Sequence, residues 1–159
     1  MPPITALLHT ANDGLRLGRA LETLFPCDEI VVVDYGSSDS TIHIAREYGA
    51  RILPGQNGVA PDHYLRLARH KWILCLQPCE SLTESLEASL FEWKSLGAPA
   101  DALAFSVFLR EETAEGWLQN SSPQVRLVSS GWNQWLGRLP AFQRSAPNLE
   151  GQLLRFAVP

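Results

Sequence analysis

Residues 28–41 read DEIVVVDYGSSDST, the strongest structural signal in the chain. The apolar run at 30–33 is short, β-branched and without polar alternation, which is typical of a strand covered on both faces of a parallel sheet. The run ends at Asp34, breaks into a Gly-Ser turn and is followed by a helix that we expect to begin near Ser40. Ligands of such sheets bind just beyond the carboxyl ends of the strands, so this stretch also predicts where a small molecule would lie.

Outward from this stretch, strands and helices alternate over the first half of the chain. Strands are expected at 4–8, 30–33, 51–53 and 72–76, and helices are expected after Asn12 or Asp13, at 40–48, at 62–69, and from Ser81 or Thr83 with Leu86, Leu90 and Trp93 on one face. This alternation predicts an α/β sheet with right-handed crossovers.

The second half is more strand-like. Strands are expected at 103–109, 124–128 and 134–138, and the last part of the chain, with Pro140 and Pro147, reads as an extended arm that ends in an edge strand at 153–158.

Size and composition narrow the function classes. The chain has 159 residues, 45% apolar and 19% charged, as expected for one globular domain. Its net charge of −4 and lack of a basic block argue against nucleic acid or an anionic membrane surface as the main partner. No apolar run approaches the roughly 20 residues of a transmembrane segment, and we expect no signal peptide. The three cysteines are expected to be reduced thiols in a cytoplasmic protein.

The chain resembles glycosyltransferase family 2, the nucleotide-sugar-dependent enzymes with the GT-A fold. The resemblance rests on residues 4–13, 21–24 and 28–50, and more faintly on 70–76 and 124–138, where it follows the lipopolysaccharide-core branch. It implies an α/β, GT-A-like single domain with a mostly parallel central sheet flanked by helices. Residues 1–98 would be the nucleotide-binding half and 99–159 a shortened acceptor-side half with a C-terminal arm.

The resemblance also implies a nucleotide site. Thr10, Asn12, Asp34, Gly36 and Asp39 match the positions that bind nucleotide in the family. A carboxylate can accept the imide N–H of a base or a ribose hydroxyl, and a glycine allows a tight turn. A structural interpretation stays open beside this one: Asp39 caps the next helix and Asp34 accepts loop amides.

The chain departs from the family at the metal and base positions. The family's Asp-x-Asp pair, which holds Mg²⁺ or Mn²⁺ against the diphosphate, is replaced at Gln77 and Cys79, and Glu80 keeps a charge one position beyond the pair. Hard cations favour neither a thiol nor a lone amide oxygen, so no metal site is predicted and no cofactor is assigned, although Mg²⁺ or Mn²⁺ is the family's usual ion. The branch's His-Glu pair is replaced within 139–141, Leu-Pro-Ala, which offers no base.

Two further losses concern the nucleotide itself. The family's stacking aromatic residue is Ala11 here, and a basic residue expected beside 60–62 is absent. Substitutes for the lost charges are the cations Arg110, Arg126, Arg138 and Arg144 and the bases Glu80, Glu111 and Glu112, each of which is more simply interpreted as a solvated surface charge. The catalytic residues therefore stay unknown.

Three functions are compatible with these observations. The first is a catalytically degenerate glycosyltransferase-like domain, a pseudoenzyme with a residual nucleotide or nucleotide-sugar site. The second is an active, metal-independent glycosyltransferase, for which the resemblance implies bacterial cell-envelope sugar metabolism. The third is a non-catalytic subunit that forms a homo-oligomer or docks on a protein partner through its Trp- and Pro-containing C-terminal region.

Overall fold

The computed structural model describes residues 2–99 and 101–159, which form a nine-stranded sheet, a two-stranded hairpin and four helices. The helices are α1 (Gly14–Glu22), α2 (Thr41–Glu47), α3 (Pro61–Leu67) and α4 (Glu84–Leu96). The strands are β1 (Ile4–Thr10), β2 (Glu29–Asp34), β3 (Arg51–Pro54), β4 (Trp72–Cys75), β5 (Glu80–Leu82), β6 (Ala104–Thr113), β7 (Gly116–Gln119), β8 (Gln124–Ser129), β9 (Trp135–Leu136), β10 (Leu139–Pro140) and β11 (Asn148–Arg155). In the described ranges no helix is both long enough and apolar enough to span a membrane.

The large sheet has the order β3-β2-β1-β4-β8-β6-β11-β5, and β7 pairs with β6. Strands β3, β2, β1 and β4 are parallel, as the alternation of strands and helices predicts. The other half is mixed: β8 runs antiparallel to β4 and β6, whereas β11 runs parallel to β6 and antiparallel to β5. The α/β fold is confirmed; its N-terminal half is wholly parallel, and its C-terminal half is mixed.

Both faces of the sheet are covered by a core. On one face Leu8 of β1 packs in a cluster with Leu17 of α1 and Leu90 of α4. On the other face Leu7 of β1 packs in a second cluster with Leu65 of α3. Burial on two faces is the reason why β1 and β2 read as unbroken apolar runs.

Two segments differ from the sequence expectation because distant strands pair with them. A helix start at Ser81 is wrong, because Ser81 lies in β5 and pairs with Leu154 of β11. The helix begins after Thr83, whose Oγ1 accepts the N–H of Leu86 at 3.2 Å, the alternative that the sequence also allowed.

The prediction of an edge strand at 153–158 is also wrong, both in its bounds and in its position in the sheet. Strand β11 runs from Asn148 to Arg155 and lies between β6 and β5, so it has a neighbour on each side. Gly151 has a φ of +97°, and a Cβ there would meet the backbone nitrogen of Leu86 at 2.4 Å. A glycine is therefore required where this strand crosses α4.

The expected strand at 134–138 is shorter than predicted. Only Trp135–Leu136 is extended, and it pairs with Leu139–Pro140 in the small β9–β10 hairpin. Gly137, with a φ of +64°, makes the turn between the two strands. The hairpin places Arg138 at its tip, outside the large sheet.

Candidate functional site

A cavity of about 450 Å³ opens at the carboxyl ends of β1 and β4. Its walls are His9 at the end of β1, Asp13 and Arg16 at the start of α1, residues 76–79 between β4 and β5, and residues 136–139 of the β9–β10 hairpin. Its position is the one that the rule for parallel sheets predicts.

A smaller cavity of about 100 Å³ adjoins the large one and shares His9 and Arg138 with it. Tyr35 and Tyr64 contribute aromatic rings, and residues 56–59 contribute amide groups and backbone. The two cavities together combine a small compartment that has aromatic walls with a larger one that contains two arginines.

The predicted nucleotide residues Thr10 and Asp34 follow and precede the lining residues His9 and Tyr35 in the sequence, and their side chains contact each other. Asp34 is only 6% exposed, and its carboxylate accepts the Thr10 hydroxyl at 2.9 Å and the Ser37 N–H at 2.9 Å. Gly36 has a φ of +75° and lies in the turn between Asp34 and Ser37. The Asp34 carboxylate thus accepts hydrogen bonds from the loop, as the structural interpretation allowed.

Asn12 and Asp39 connect the same two loops. Asn12, in the left-handed region with a φ of +56°, accepts the Ser38 N–H at 2.8 Å through Oδ1. Asp39 accepts the Gly14 N–H at 3.0 Å and the Thr41 N–H at 2.9 Å, so it satisfies the first residue of both α1 and α2. The Thr41 hydroxyl and these N–H groups lower the pKa of Asp39.

This arrangement corrects one detail of the sequence analysis. Asp13, one of the two residues expected to cap the first helix, holds the N-cap position of α1, but its side chain makes no capping hydrogen bond; Asp39 accepts the Gly14 N–H from the other loop instead. None of the five predicted nucleotide residues is among the residues that line the two cavities. Their direct neighbours His9, Asp13 and Tyr35 line them instead, and nucleotide contact by the five stays a prediction.

Gln77 and Cys79 line the large cavity, but Glu80 lies in the interior. The Glu80 carboxylate accepts hydrogen bonds from Nη1 and Nη2 of Arg126, at 2.6 and 2.9 Å, and from Nη2 of Arg155 at 3.0 Å. Burial alone would raise the pKa of Glu80, but these charges and hydrogen bonds hold it below its usual value. Glu80 is therefore a structural anion and not a ligand for a cation in the cavity.

The interpretation of Glu80 and Arg126 as solvated surface charges is wrong. Both side chains are buried, at 0% and 1% exposure, because β5 and β8 bring opposite charges together inside the fold. Arg155 also makes an ion pair with Glu111 at 2.7 Å. Glu111, another candidate base, is therefore already bound to an arginine. The Gln77 N–H also donates to Glu80 at 2.8 Å, so the ion pair fixes the turn that carries Gln77.

The residues of the cavity do not fit Mg²⁺ or Mn²⁺. Gln77 offers one amide oxygen, Cys79 offers a soft sulfur 3.9 Å from that oxygen, and Asp13 is the one carboxylate among the described lining residues. Within residues 2–99 and 101–159 no three His, Cys, Asp or Glu side chains are grouped so that they could hold a metal ion. Octahedral oxygen coordination by protein ligands is thus not available here.

Two arginines carry the positive charge of the cavity. Arg16 lies on the first turn of α1, and Arg138 lies at the hairpin tip with its guanidinium 3.8 Å from the centre of the Tyr35 ring. At the positions of the missing His-Glu pair, Leu139 lines the cavity and Pro140 is buried. The cavity therefore contains two cations, and the positions that the resemblance assigns to the His-Glu pair are apolar.

His9 connects the two cavities. Its Nδ1 lies 2.9 Å from the Tyr35 hydroxyl, and its buried Nε2 has no hydrogen-bond partner in the described part of the chain. Burial first, and then the Arg138 charge, lowers the pKa of His9 to about 4. The ring is therefore neutral at pH 7 and leaves one nitrogen for a ligand.

Of the residues that line the large cavity, Gln77, Cys79 and Arg138 are candidates from the sequence, whereas Arg16 is not. Arg16 lies between the buried positions of α1, so its spacing identified it only as polar. The signal that could have found it is its place on the first turn of a helix that starts at the ligand edge of the sheet.

Several proteins of similar sequence carry the name glycosyltransferase. An uncharacterized glycosyltransferase of Rickettsia prowazekii is 30% identical over 95 residues, which cover 55% of this chain and 31% of that protein. The lipopolysaccharide core biosynthesis glycosyltransferase LpsC of Rhizobium meliloti is 39% identical over 46 residues, 29% of this chain and 17% of that protein. This chain thus spans about a third or less of the length of these relatives. No family model matches the sequence.

Solved structures with a similar fold include glucosyl-3-phosphoglycerate synthase from Mycobacterium tuberculosis in complex with Mn²⁺, UDP and glucosyl-3-phosphoglycerate. The match has a TM-score of 0.53 at 17% identity and covers 69% of this chain and 44% of that one. S. aureus TarS matches with a TM-score of 0.50 at 17% identity, over 77% of this chain and 23% of that one. The fold of this chain is accordingly GT-A-like, of the glycosyltransferase family 2 type.

Proposed function

We propose that this chain is a glycosyltransferase family 2-like domain that binds a nucleotide or nucleotide-sugar and does not transfer the sugar. The observation that carries the proposal is the chemistry at the end of β4. Gln77 and Cys79 present neutral groups to the cavity, and the Glu80 carboxylate is occupied by Arg126 and Arg155. Transfer with inversion needs a base for the acceptor and a positive group for the leaving diphosphate, and residues 139–141 offer no base.

Ligand binding is supported by the size and lining of the two cavities. A volume of about 450 Å³ lies within the range of small-molecule sites. The adjoining compartment presents Tyr35 and Tyr64 together with the amides at 56–57, a combination that suits a flat heteroaromatic base with polar edges. A structural neighbour binds UDP, which is the class of ligand that we infer for this chain.

The test is a thermal-shift screen of the purified protein against UDP, GDP, dTDP and CDP and their common sugar conjugates, in EDTA and in Mn²⁺. A ligand at 100 times its Kd adds about 2.7 kcal/mol to the free energy of unfolding, which corresponds to a rise in Tm of roughly 5 to 10 °C. We expect a shift with one nucleotide in EDTA and no release of that nucleotide from its sugar conjugate. A shift with no nucleotide would contradict the proposal.

A second candidate, an active metal-independent glycosyltransferase, is supported by His9 and Asp13, two lining residues whose side chains can accept a proton. The low pKa of His9 makes it a weak base. Release of the nucleoside diphosphate from a nucleotide-sugar in EDTA, abolished by His9→Gln or Asp13→Asn, would establish this second function and exclude the first.

A further inference from the structure

We propose that Arg16 and Arg138 form a metal-independent binding site for the diphosphate group of the ligand. The inference rests on the proposed function, because it names the groups by which the cavity would hold a nucleotide. It follows from the poor fit of a divalent cation to Gln77 and Cys79 and from two guanidinium groups that line the same cavity.

Neither arginine has a carboxylate partner among the described residues. In contrast, Arg126 and Arg155 make ion pairs with Glu80 at 2.6 and 3.0 Å. A guanidinium without a carboxylate can donate two parallel hydrogen bonds to a phosphate, and such charge-assisted bonds are the strong ones. Arg16 and Arg138 thus keep the donors that the buried arginines have already used.

The other groups of the cavity complete an environment for an anion and not for a metal. Asp13 is the one carboxylate in the described lining, and its Oδ2 already accepts the Ala11 N–H at 2.9 Å. The N–H of Gly14 at the start of α1 is taken by Asp39, so the arginines have to provide the positive charge. A divalent cation beside two guanidinium groups would be repelled by both, whereas a diphosphate would be attracted by both.

The placement of Arg138 is defined before a ligand arrives. The turn at Gly137 exposes it, and its guanidinium stacks 3.8 Å from the centre of the Tyr35 ring. It borders both cavities, as does His9, whose neutral ring has an Nε2 that no described residue contacts by a hydrogen bond. A nucleoside in the aromatic compartment would therefore direct its phosphates past Arg138 into the large cavity, which Arg16 also lines.

The test is isothermal titration of the full chain with three probes in EDTA: UDP, inorganic pyrophosphate and uridine. The variants are Arg16→Gln and Arg138→Gln, and the matched control is Arg144→Gln, an exposed arginine outside both cavities. Each Tm is measured first. Arg16→Lys and Arg138→Lys repeat the test with the charge kept and the paired donors lost, should either glutamine variant fail to fold.

We expect each glutamine variant to weaken the Kd for UDP and pyrophosphate by about tenfold to a hundredfold, and uridine binding to stay unchanged. The lysine variants should fall between wild type and glutamine, and Arg144→Gln should bind as wild type. Wild-type binding of pyrophosphate that requires Mn²⁺, or glutamine variants that bind UDP as tightly as wild type, would overturn the inference. Absence of uridine and UDP binding, with pyrophosphate binding that still depends on the arginines, would overturn the nucleotide proposal and keep the anion site.

Discussion

Replacing Glu80 with glutamine should destabilise the fold strongly, although the two side chains have almost the same shape. The Glu80 carboxylate accepts hydrogen bonds from Arg126, from Arg155 and from the Gln77 N–H. Glutamine keeps one acceptor oxygen but turns an NH₂ group towards these donors. It also leaves the buried Arg126, which is 1% exposed, without its counter-charge.

Removal of one partner from a buried ion pair typically costs about 3–5 kcal/mol. For a chain of this length each kcal/mol lowers Tm by about 2–4 °C, so we expect a decrease of roughly 6 to 20 °C. The pKa of Glu80 lies below its unfolded value of 4.5 in the folded state, so its contribution is present at neutral pH and is lost as the pH falls through the folded pKa. Glu80→Gln should therefore also flatten the acid end of the stability profile.

The assay is urea unfolding at pH 7 and over the acid range, with Glu115→Gln as the control. Glu115 is exposed and lies in the turn before β7, where the same change should cost less than about 0.5 kcal/mol. If the two variants lose the same small amount of stability, the buried ion pairs of Glu80 do not stabilise the fold.

Three further predictions follow from other parts of the structure. The double substitution Gln77→Asp with Cys79→Asp should create Mn²⁺ binding without sugar transfer, because residues 139–141 still offer no base. Titration with Mn²⁺ tests the binding, and an assay of donor turnover tests the transfer. Measured transfer would show that the acceptor side is misinterpreted. A change from about pH 7 to about pH 5 should cost up to about 2 kcal/mol through His9, because its folded pKa of about 4 lies below the unfolded value of 6.5 and the unfolded state takes up the proton first. His9→Gln should remove this part of the loss in urea unfolding at the two pH values, and an unchanged difference would contradict it. Gly151→Ala should cost at least about 2 kcal/mol, against about 1 kcal/mol for Gly116→Ala, which also has a positive φ but has open space around it. Equal losses in chemical denaturation would show that contact with Leu86 is not what requires the glycine.

The parallel half of the sheet could be predicted because its signals are local. Strands β1, β2 and β4 are apolar runs, and α1 and α4 have helical spacing that can be read within a few residues. The mixed half depends on pairings between distant segments. Residues 80–82 look like the start of a helix, yet they form β5 because β11 pairs with them. No periodicity within either segment carries that information.

The candidate site was predictable in position but only partly in composition. The ends of β1 and β4 mark the cavity, and the absence of acids at Gln77 and Cys79 is visible in the sequence. The burial of Glu80 cannot be predicted from the sequence, because it depends on an ion pair with Arg126, which lies 46 residues further along the chain and is also buried. A charged residue in a sequence reads as solvated until the structure shows its partner.

The most direct test of the central claim is the affinity of the wild-type protein for UDP, or for the nucleotide that the thermal screen selects, in EDTA and in Mn²⁺. Because the described lining of the cavity offers two arginines and no set of metal ligands, we expect the two Kd values to agree within about twofold. Binding that Mn²⁺ strengthens by about tenfold or more would mean that a metal joins the ligand to this chain, and would contradict the account of the site.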